Sequence, residues 1–359
     1  MAQHTKKAYL LLEDGTVFEG FSMGKAGTAI GEVVFNTCTA SYEELLSDPT
    51  YYGQIVAQTY PLVGNRGVAD GGLESEIMSN GYIVREWCDA PEGGVSLDEY
   101  LRHRGIVGIY GIDTRRLTRA LRDKGYMKGA ITESLEEKDG LLQEIHAYTI
   151  SGAVQAVTVK LPETVDAPQA KYRVAVMDYG FPRATLEALT ARGCTLELLP
   201  ADYTAKQIQA LSVNGIFLSD GPGDPDDNPI YIQNIREMTE LHLPILAIGL
   251  GHQMLALSVG AEIEKMAQGH RGSNQPVVLG GTEKFMVTDQ NHGYSVKKET
   301  VQSSVAEISM TNLNDGSVEG LSYKAFPAIS VQFTPNGDRD SSTSWIFDCF
   351  VEKLGEAEK

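Results

Sequence analysis

Cysteine is scarce in this 359-residue chain. Its four copies, Cys38, Cys88, Cys194 and Cys349, show no C-x-x-C spacing. That excludes a disulfide framework and a zinc-finger type of site, and it favours a reducing compartment. Long apolar runs are missing as well. Hydrophobic residues make up 42% of the chain, yet no stretch approaches the roughly 20 residues needed to span a bilayer. No apolar signal-peptide segment stands behind the opening Met-Ala-Gln-His-Thr-Lys-Lys, so a cytoplasmic protein with no membrane partner is expected. Basic charge is also deficient. Thirty Lys and Arg against 48 Asp and Glu give a formal net charge of −18. Phosphate backbones are bound by clustered Lys and Arg, so nucleic acid is an unsuitable partner. The simplest consequence of the charge is solubility.

The length accommodates two domains. Residues 1–150 read as a strand-rich α+β domain. Tyr9–Phe18 surrounds Asp14-Gly15, a hairpin signal. Glu32–Thr37 and Gln54–Tyr60 are further strands, and Asp113-Thr114 caps a helix over Arg115–Arg122. A polar connector is expected over 151–172, with Pro162 in it. From 173 to 359 short apolar strands alternate with helices. The strands are Tyr172–Asp178, Thr195–Leu199, Gly215–Ser219 and Pro244–Ile248; the helices are Ala184–Ala191, Ala205–Leu211 and Ile230–His242. This alternation specifies a doubly wound, mostly parallel α/β sheet. Ligands bind such sheets at the carboxyl ends of the strands.

One of those ends carries the most informative string. Pro244-Ile245-Leu246-Ala247-Ile248 runs into Gly249-Leu250-Gly251-His252-Gln253, and a helix is expected from Met254. A strand, a tight glycine turn and a helix make the shape of a nucleophile elbow. Other sequence blocks stand in a fixed order around it. They are Gly31–Thr37, Asp48-Pro49, Gln54-Ile55-Val56, Thr59-Tyr60-Pro61, Gly64-Asn65, Gly111–Arg115, Leu218–Pro225, Gln290-Asn291-His292-Gly293 and Ser330–Phe333. Together these resemble the small subunit of carbamoyl phosphate synthase over nearly the whole chain. The second half resembles class I glutamine amidotransferases, with their G-x-C-x-G-H-Q elbow.

In that family a Cys–His–Glu triad hydrolyses glutamine. The ammonia passes to a large subunit, which uses bicarbonate and ATP to make carbamoyl phosphate. The resemblance implies that large subunit as partner, with ATP and Mg belonging to it and no cofactor or metal in this chain. Pyrimidine and arginine biosynthesis are the implied pathways. Residue by residue, however, the triad is gone. The cysteine position is Gly249, and the family's Q-[FYG]-H-P-E segment reads Gln332-Phe333-Thr334-Pro335-Asn336. Histidine is thus replaced by Thr334 and glutamate by Asn336. Glycine offers no sulfur, threonine does not cycle a proton near neutral pH, and asparagine does not stabilise an imidazolium by charge. Losing the nucleophile alone costs on the order of 10⁶ in turnover, and further losses then cost little.

A fourth departure is Asp220, where the family's S-N-G-P-G has asparagine. The resemblance places the oxyanion hole at this glycine turn and at the N–H of Leu250. At ~6 Å and an effective dielectric of ~20, a carboxylate would oppose an oxyanion by ~3 kcal/mol; alternatively Asp220 caps a turn or faces water. The resemblance implies a glutamine pocket at Thr50, Gly221, Gly223, Leu250, Gln253, Asn291, Gly293 and Tyr294, with His252 and His292 as framework. Glutamine is therefore a candidate ligand, and a free-standing amino-acid sensor is the alternative to a degenerate small subunit. New chemistry at Asp220, Asp178 or Asp289 has no supporting motif. None of the four cysteines lies in a site motif.

Overall fold

The Asp14-Gly15 turn joins β1 (Lys7–Leu12) to β2 (Val17–Gly24) as an antiparallel hairpin, with Leu11 opposite Val17. The computed structural model describes residues 6–38, 42–68 and 78–357. Two compact units emerge, Met1–Ser151 and Gly152–Lys359.

In the first unit β1 and β2 are followed by β3 (Ala29–Asn36), α1 (Tyr42–Ser47), β4 (Gln54–Gln58), β5 (Leu62–Val63), β6 (Gly81–Val84), β7 (Glu86–Trp87), α2 (Leu97–His103), β8 (Val107–Tyr110), α3 (Thr114–Lys124), β9 (Met127–Thr132) and α4 (Lys138–Ala147). Seven strands close into a barrel in the order β1-β2-β8-β6-β4-β3-β9. Closure leaves the barrel no free sheet edge. Leu10, Leu12, Ile55, Ile83, Ile109 and Ile131 belong to one buried cluster of this unit. The predicted cap is present, because the Asp113 carboxylate accepts from the Arg116 N–H at 2.9 Å.

The second unit contains α5 (Ala153–Val157), β10 (Glu163–Val165), β11 (Tyr172–Asp178), α6 (Ala184–Thr190), β12 (Cys194–Pro200), α7 (Ala205–Ala210), β13 (Gly215–Leu218), α8 (Pro229–Thr239), β14 (Ile245–Ile248), α9 (Leu250–Ser258), β15 (Ile263–Leu279), β16 (Phe285–Val296), β17 (Ala306–Asn312), β18 (Val318–Tyr323), β19 (Ala328–Val331) and α10 (Trp345–Ala357). Of residues 151–172, read from sequence as a connector, 152–172 carry structure of this unit. Val154 of α5 is buried in its core, and β10 pairs antiparallel with β12.

One sheet runs β10-β12-β11-β13-β14-β19-β18-β17-β15-β16. Its β12-β11-β13-β14-β19 portion is parallel. Along β11, Val174 and Val176 join one core cluster while Ala175 and Met177 join the other. Both faces are therefore covered, which is why this strand is continuously apolar and does not alternate. The antiparallel extension β18-β17-β15-β16 has no counterpart in the sequence reading. Its β15–β16 pair carries two register shifts, and these blur the period-2 pattern.

Arg192 ties the last helix to this sheet. Its side chain is 2% exposed and donates to Asp348 Oδ1 at 2.6 Å. It also donates to the carbonyls of Ala188, Gly337 and Ser344. Removing it leaves three carbonyls short of a charged donor. Arg192→Ala is expected to lower the stability measured by urea unfolding by about 1–3 kcal/mol, the cost of buried carbonyls left without their donor. Asp348→Asn, whose carboxylate is half exposed, should cost about 1 kcal/mol or less.

Candidate active site

Register brings the candidate residues together. Across the parallel strands, Leu218 of β13 is level with Ala247 of β14, and Ala247 is level with Ser330 of β19. Two residues further on, Asp220, Gly249 and Gln332 leave the sheet side by side at its carboxyl edge. Parallel neighbours lie about 4.8 Å apart, which is within side-chain reach.

Gly249 has φ 54° and ψ −115°, and α9 starts at the next residue, Leu250. The helix thus begins four residues before Met254, the start expected from sequence. Buried packing decides this, since Leu250, Gly251, His252 and Gln253 are all inaccessible. The turn is held from both sides: the Gly249 N–H donates to Val331 O at 3.0 Å, and the Gly251 N–H donates to Ser219 O at 2.9 Å. A Cβ on Gly251 would stand 2.4 Å from Leu218 O, so a side chain does not fit. This is a nucleophile elbow in backbone geometry.

The space above the elbow is filled by Asp220. One carboxylate oxygen, Oδ1, accepts from the Leu250 N–H at 2.8 Å and from the Gly221 N–H at 2.8 Å. A Cβ built on Gly249 would lie 2.0 Å from Oδ1, 2.1 Å from Cγ and 2.5 Å from Oδ2 of Asp220. The expectation of a charge opposing an oxyanion from ~6 Å is corrected. The carboxylate sits on the N–H groups themselves, which combines the capping alternative with the electrostatic one.

Thr334 is half-buried, and its N–H donates to Asp289 O at 3.0 Å. Asn336 is exposed and engaged in its own loop. Its N–H donates to Thr343 Oγ1 at 2.9 Å, and its Oδ1 accepts from the Asp338 N–H at 2.8 Å. Among the other candidates, Gln253 and Thr50 make side-chain hydrogen bonds. Gln253 Nε2 donates to Tyr294 O at 2.9 Å and to Gln332 Oε1 at 3.0 Å. In the β15–β16 ladder, Asn291 pairs with Arg271 and Tyr294 with Lys265; Gly293 is buried between them in β16. Gly223 adjoins Ala153, 3.0 Å from where its Cβ would be. Thr50 belongs to the first unit, where its hydroxyl donates to Asp48 Oδ1 at 2.7 Å.

The histidines are structural in their contacts. His252 is fully buried with Nδ1 2.7 Å from Ser330 Oγ, and burial drives its pKa down to about 3. His292 lies between Tyr294 O at 2.9 Å and Gln290 Oε1 at 3.0 Å; burial, then the charge of His270, hold it well below 6.5. A buried polar network that the sequence reading missed surrounds it. Burial works against charge on His270, but Glu319 and Asp315 prevail and raise its pKa. Glu319 in turn accepts from Gln290 Nε2 at 2.9 Å. His270, His292 and Glu319 lie on three separate strands, so no local spacing signals them.

Cys194 and Asp178 are buried, and Asp289 is tied to Thr334. Cys194 opens β12 at the amino edge, opposite the elbow, and burial pushes its thiol up to about 11. Asp178 accepts from the N–H groups of Val159 and Gly180, and burial raises its pKa. Asp289 is bridged to Thr334 through its backbone. No helix among the described residues is long and apolar enough to cross a membrane.

Comparison with known proteins agrees with this architecture. Residues 10–131 match the family model "carbamoyl-phosphate synthase small chain, CPSase domain", and residues 175–353 match "glutamine amidotransferase class-I". The carbamoyl phosphate synthase small chain of Bacillus thuringiensis subsp. konkukian is 41% identical over 360 residues, covering 98% of this chain and 97% of that one. The chain belongs to the carbamoyl phosphate synthase small-chain family. The small chain of Listeria monocytogenes serotype 4b is 39% identical, with 98% of each covered. The pyrimidine-specific small chain of Bacillus subtilis is 39% identical, with 98% and 97% covered. In this chain the Asp220 carboxylate stands where a Cβ on residue 249 would lie.

The buried His252 gives a pH test. Its folded pKa, about 3, lies below the unfolded 6.5. The neutral ring therefore contributes stability that is complete above 6.5 and is lost as pH falls from 6.5 toward 3. Unfolding by urea at stepped pH should show a shallower decline over that window for His252→Gln. An unchanged slope contradicts the assignment.

Proposed function

We propose that this chain is a small-chain partner of a carbamoyl phosphate synthase large subunit and that it does not itself hydrolyse glutamine. The large subunit would hold ATP and Mg and draw its nitrogen from free ammonia, in a cytoplasmic setting. The chain would support or regulate it. One observation carries this reading: at the elbow, the group facing the Leu250 N–H is the Asp220 carboxylate, and residue 249 has no side chain.

The chemistry follows from the groups present. Thioester formation needs a thiolate, a base that depresses its pKa, and donors left open for the oxyanion. Gly249 and Thr334 supply neither of the first two. The Leu250 and Gly221 N–H groups already have an anionic acceptor. The sensor alternative is weakened by Gln253, whose amide nitrogen is spent on Tyr294 O and Gln332 Oε1. A glutamine ligand would have to displace those bonds. Near-full-length coverage by small chains, front domain included, supports a retained partner surface.

Co-expression with the large chain of the same genome tests the proposal. The two are expected to co-purify. The complex should make carbamoyl phosphate from ammonium chloride, while ammonia release from glutamine stays at background, about 10⁶-fold below an intact triad. Glutamine-dependent synthesis, or failure of the chains to associate, would overturn it.

A further inference from the structure

We infer that Asp220 is a built-in occupant of the elbow's anion pocket, and that residues 220 and 249 act as one pair in deciding what the pocket admits. The inference deepens the non-hydrolysing reading and rests on it.

Three observations converge. First, the register sets Asp220 and Gly249 level on adjacent parallel strands, two residues beyond the Leu218–Ala247 pair. Any side chain at 220 that turns toward β14 meets whatever stands at 249. Second, α9 receives no side-chain cap from its own N-terminal residue, because that residue is Gly249. Asp220 supplies the cap from the neighbouring strand, with Oδ1 2.8 Å from both the Leu250 and the Gly221 N–H. A carboxylate at a helix N-terminus is favoured by charge as well as by hydrogen bonding. Third, all three carboxylate atoms would lie within 2.5 Å of a Cβ at 249. Real Cβ contacts do not approach that closely. The cap as it stands therefore requires glycine, and glycine leaves the cavity that the cap fills.

The consequence reaches beyond one missing nucleophile. A tetrahedral adduct at the elbow would put its oxyanion on the Leu250 N–H, where a like charge already sits. A thiol introduced at 249 meets the carboxylate both sterically and electrostatically. Restoring cysteine at that single position therefore does not restore a competent nucleophile. Asp220 is a specificity-determining residue, excluding carbonyl and carboxylate oxygens from this pocket.

A double-mutant cycle on the full chain tests the pairing. Gly281 is the reference, since its φ is 73° with nothing within 4 Å of an added Cβ. Gly281→Ala thus reports the cost of a side chain at a positive-φ position with open space around it. Gly249→Ala is expected to lower the folding equilibrium constant at least about tenfold more than Gly281→Ala. In an Asp220→Ala background the cost of Gly249→Ala itself should fall by at least about tenfold in that constant. In parallel, the thiol of Gly249→Cys, followed by iodoacetamide labelling and peptide mass spectrometry, should react at least about tenfold more slowly than the same thiol in the Asp220→Ala background. Should Gly249→Cys fail to fold, recovery in the Asp220→Ala background supports the pairing, and failure there overturns it. Additive stabilities or equal labelling rates overturn it as well. Either result leaves the absence of glutaminase activity standing, because that is read separately on the unaltered chain.

Discussion

Everything at the elbow depends on the register of three parallel strands. β13, β14 and β19 are hydrogen-bonded neighbours, with Leu218 level with Ala247 and Ala247 level with Ser330. Whatever follows each strand is delivered to the same edge at the same height. Asp220, Gly249 and Gln332 meet there although more than a hundred residues separate the first from the last. The buried faces fix this register. β13 and β14 are inaccessible along their whole length, and a slip would misplace side chains packed in two separate cores.

An elbow built this way creates an obligation as well as a site. The first N–H groups of α9 have no partner inside the helix, and a helix inaccessible from Leu250 to Ala256 cannot leave them to bulk water. A hydrolytic family member keeps such donors for a transient oxyanion. Here the Asp220 carboxylate accepts from the Leu250 N–H. A polar group that is buried and unpaired costs roughly 1–3 kcal/mol. The acceptor is therefore a stabilising feature of the fold, whatever became of the chemistry. Glycine at 249 fits the same logic, since φ is 54° and the carboxylate takes the room a side chain would need.

The surviving family motifs need the same care. Gln253, His252 and His292 all remain, yet each has a structural task. Gln253 joins α9 to β16 through Tyr294 O. His252 joins α9 to β19 through Ser330. His292 belongs to a buried polar network that runs through Gln290 to Glu319, and Glu319 faces His270. Buried polar groups of this kind hold their partners in place at high cost of removal. Packing and hydrogen bonding give each of them a place in the fold.

Local sequence determined a great deal. The Asp14-Gly15 turn between apolar segments gave the first hairpin; alternating apolar strands and helices gave the doubly wound sheet; the absence of sulfur at 249, imidazole at 334 and carboxylate at 336 was readable residue by residue. These are properties of single positions or short windows, where chemistry and propensity act over a few residues. Tertiary structure alone decided the rest. It folded residues 152–172 onto the second unit, because β10 finds its partner in β12. It started α9 at Leu250, and it gathered His270, His292 and Glu319 from three strands. Above all it placed Asp220 on the Leu250 N–H. That contact spans 30 residues of chain and exists only because two parallel strands lie side by side, a distance no local pattern records.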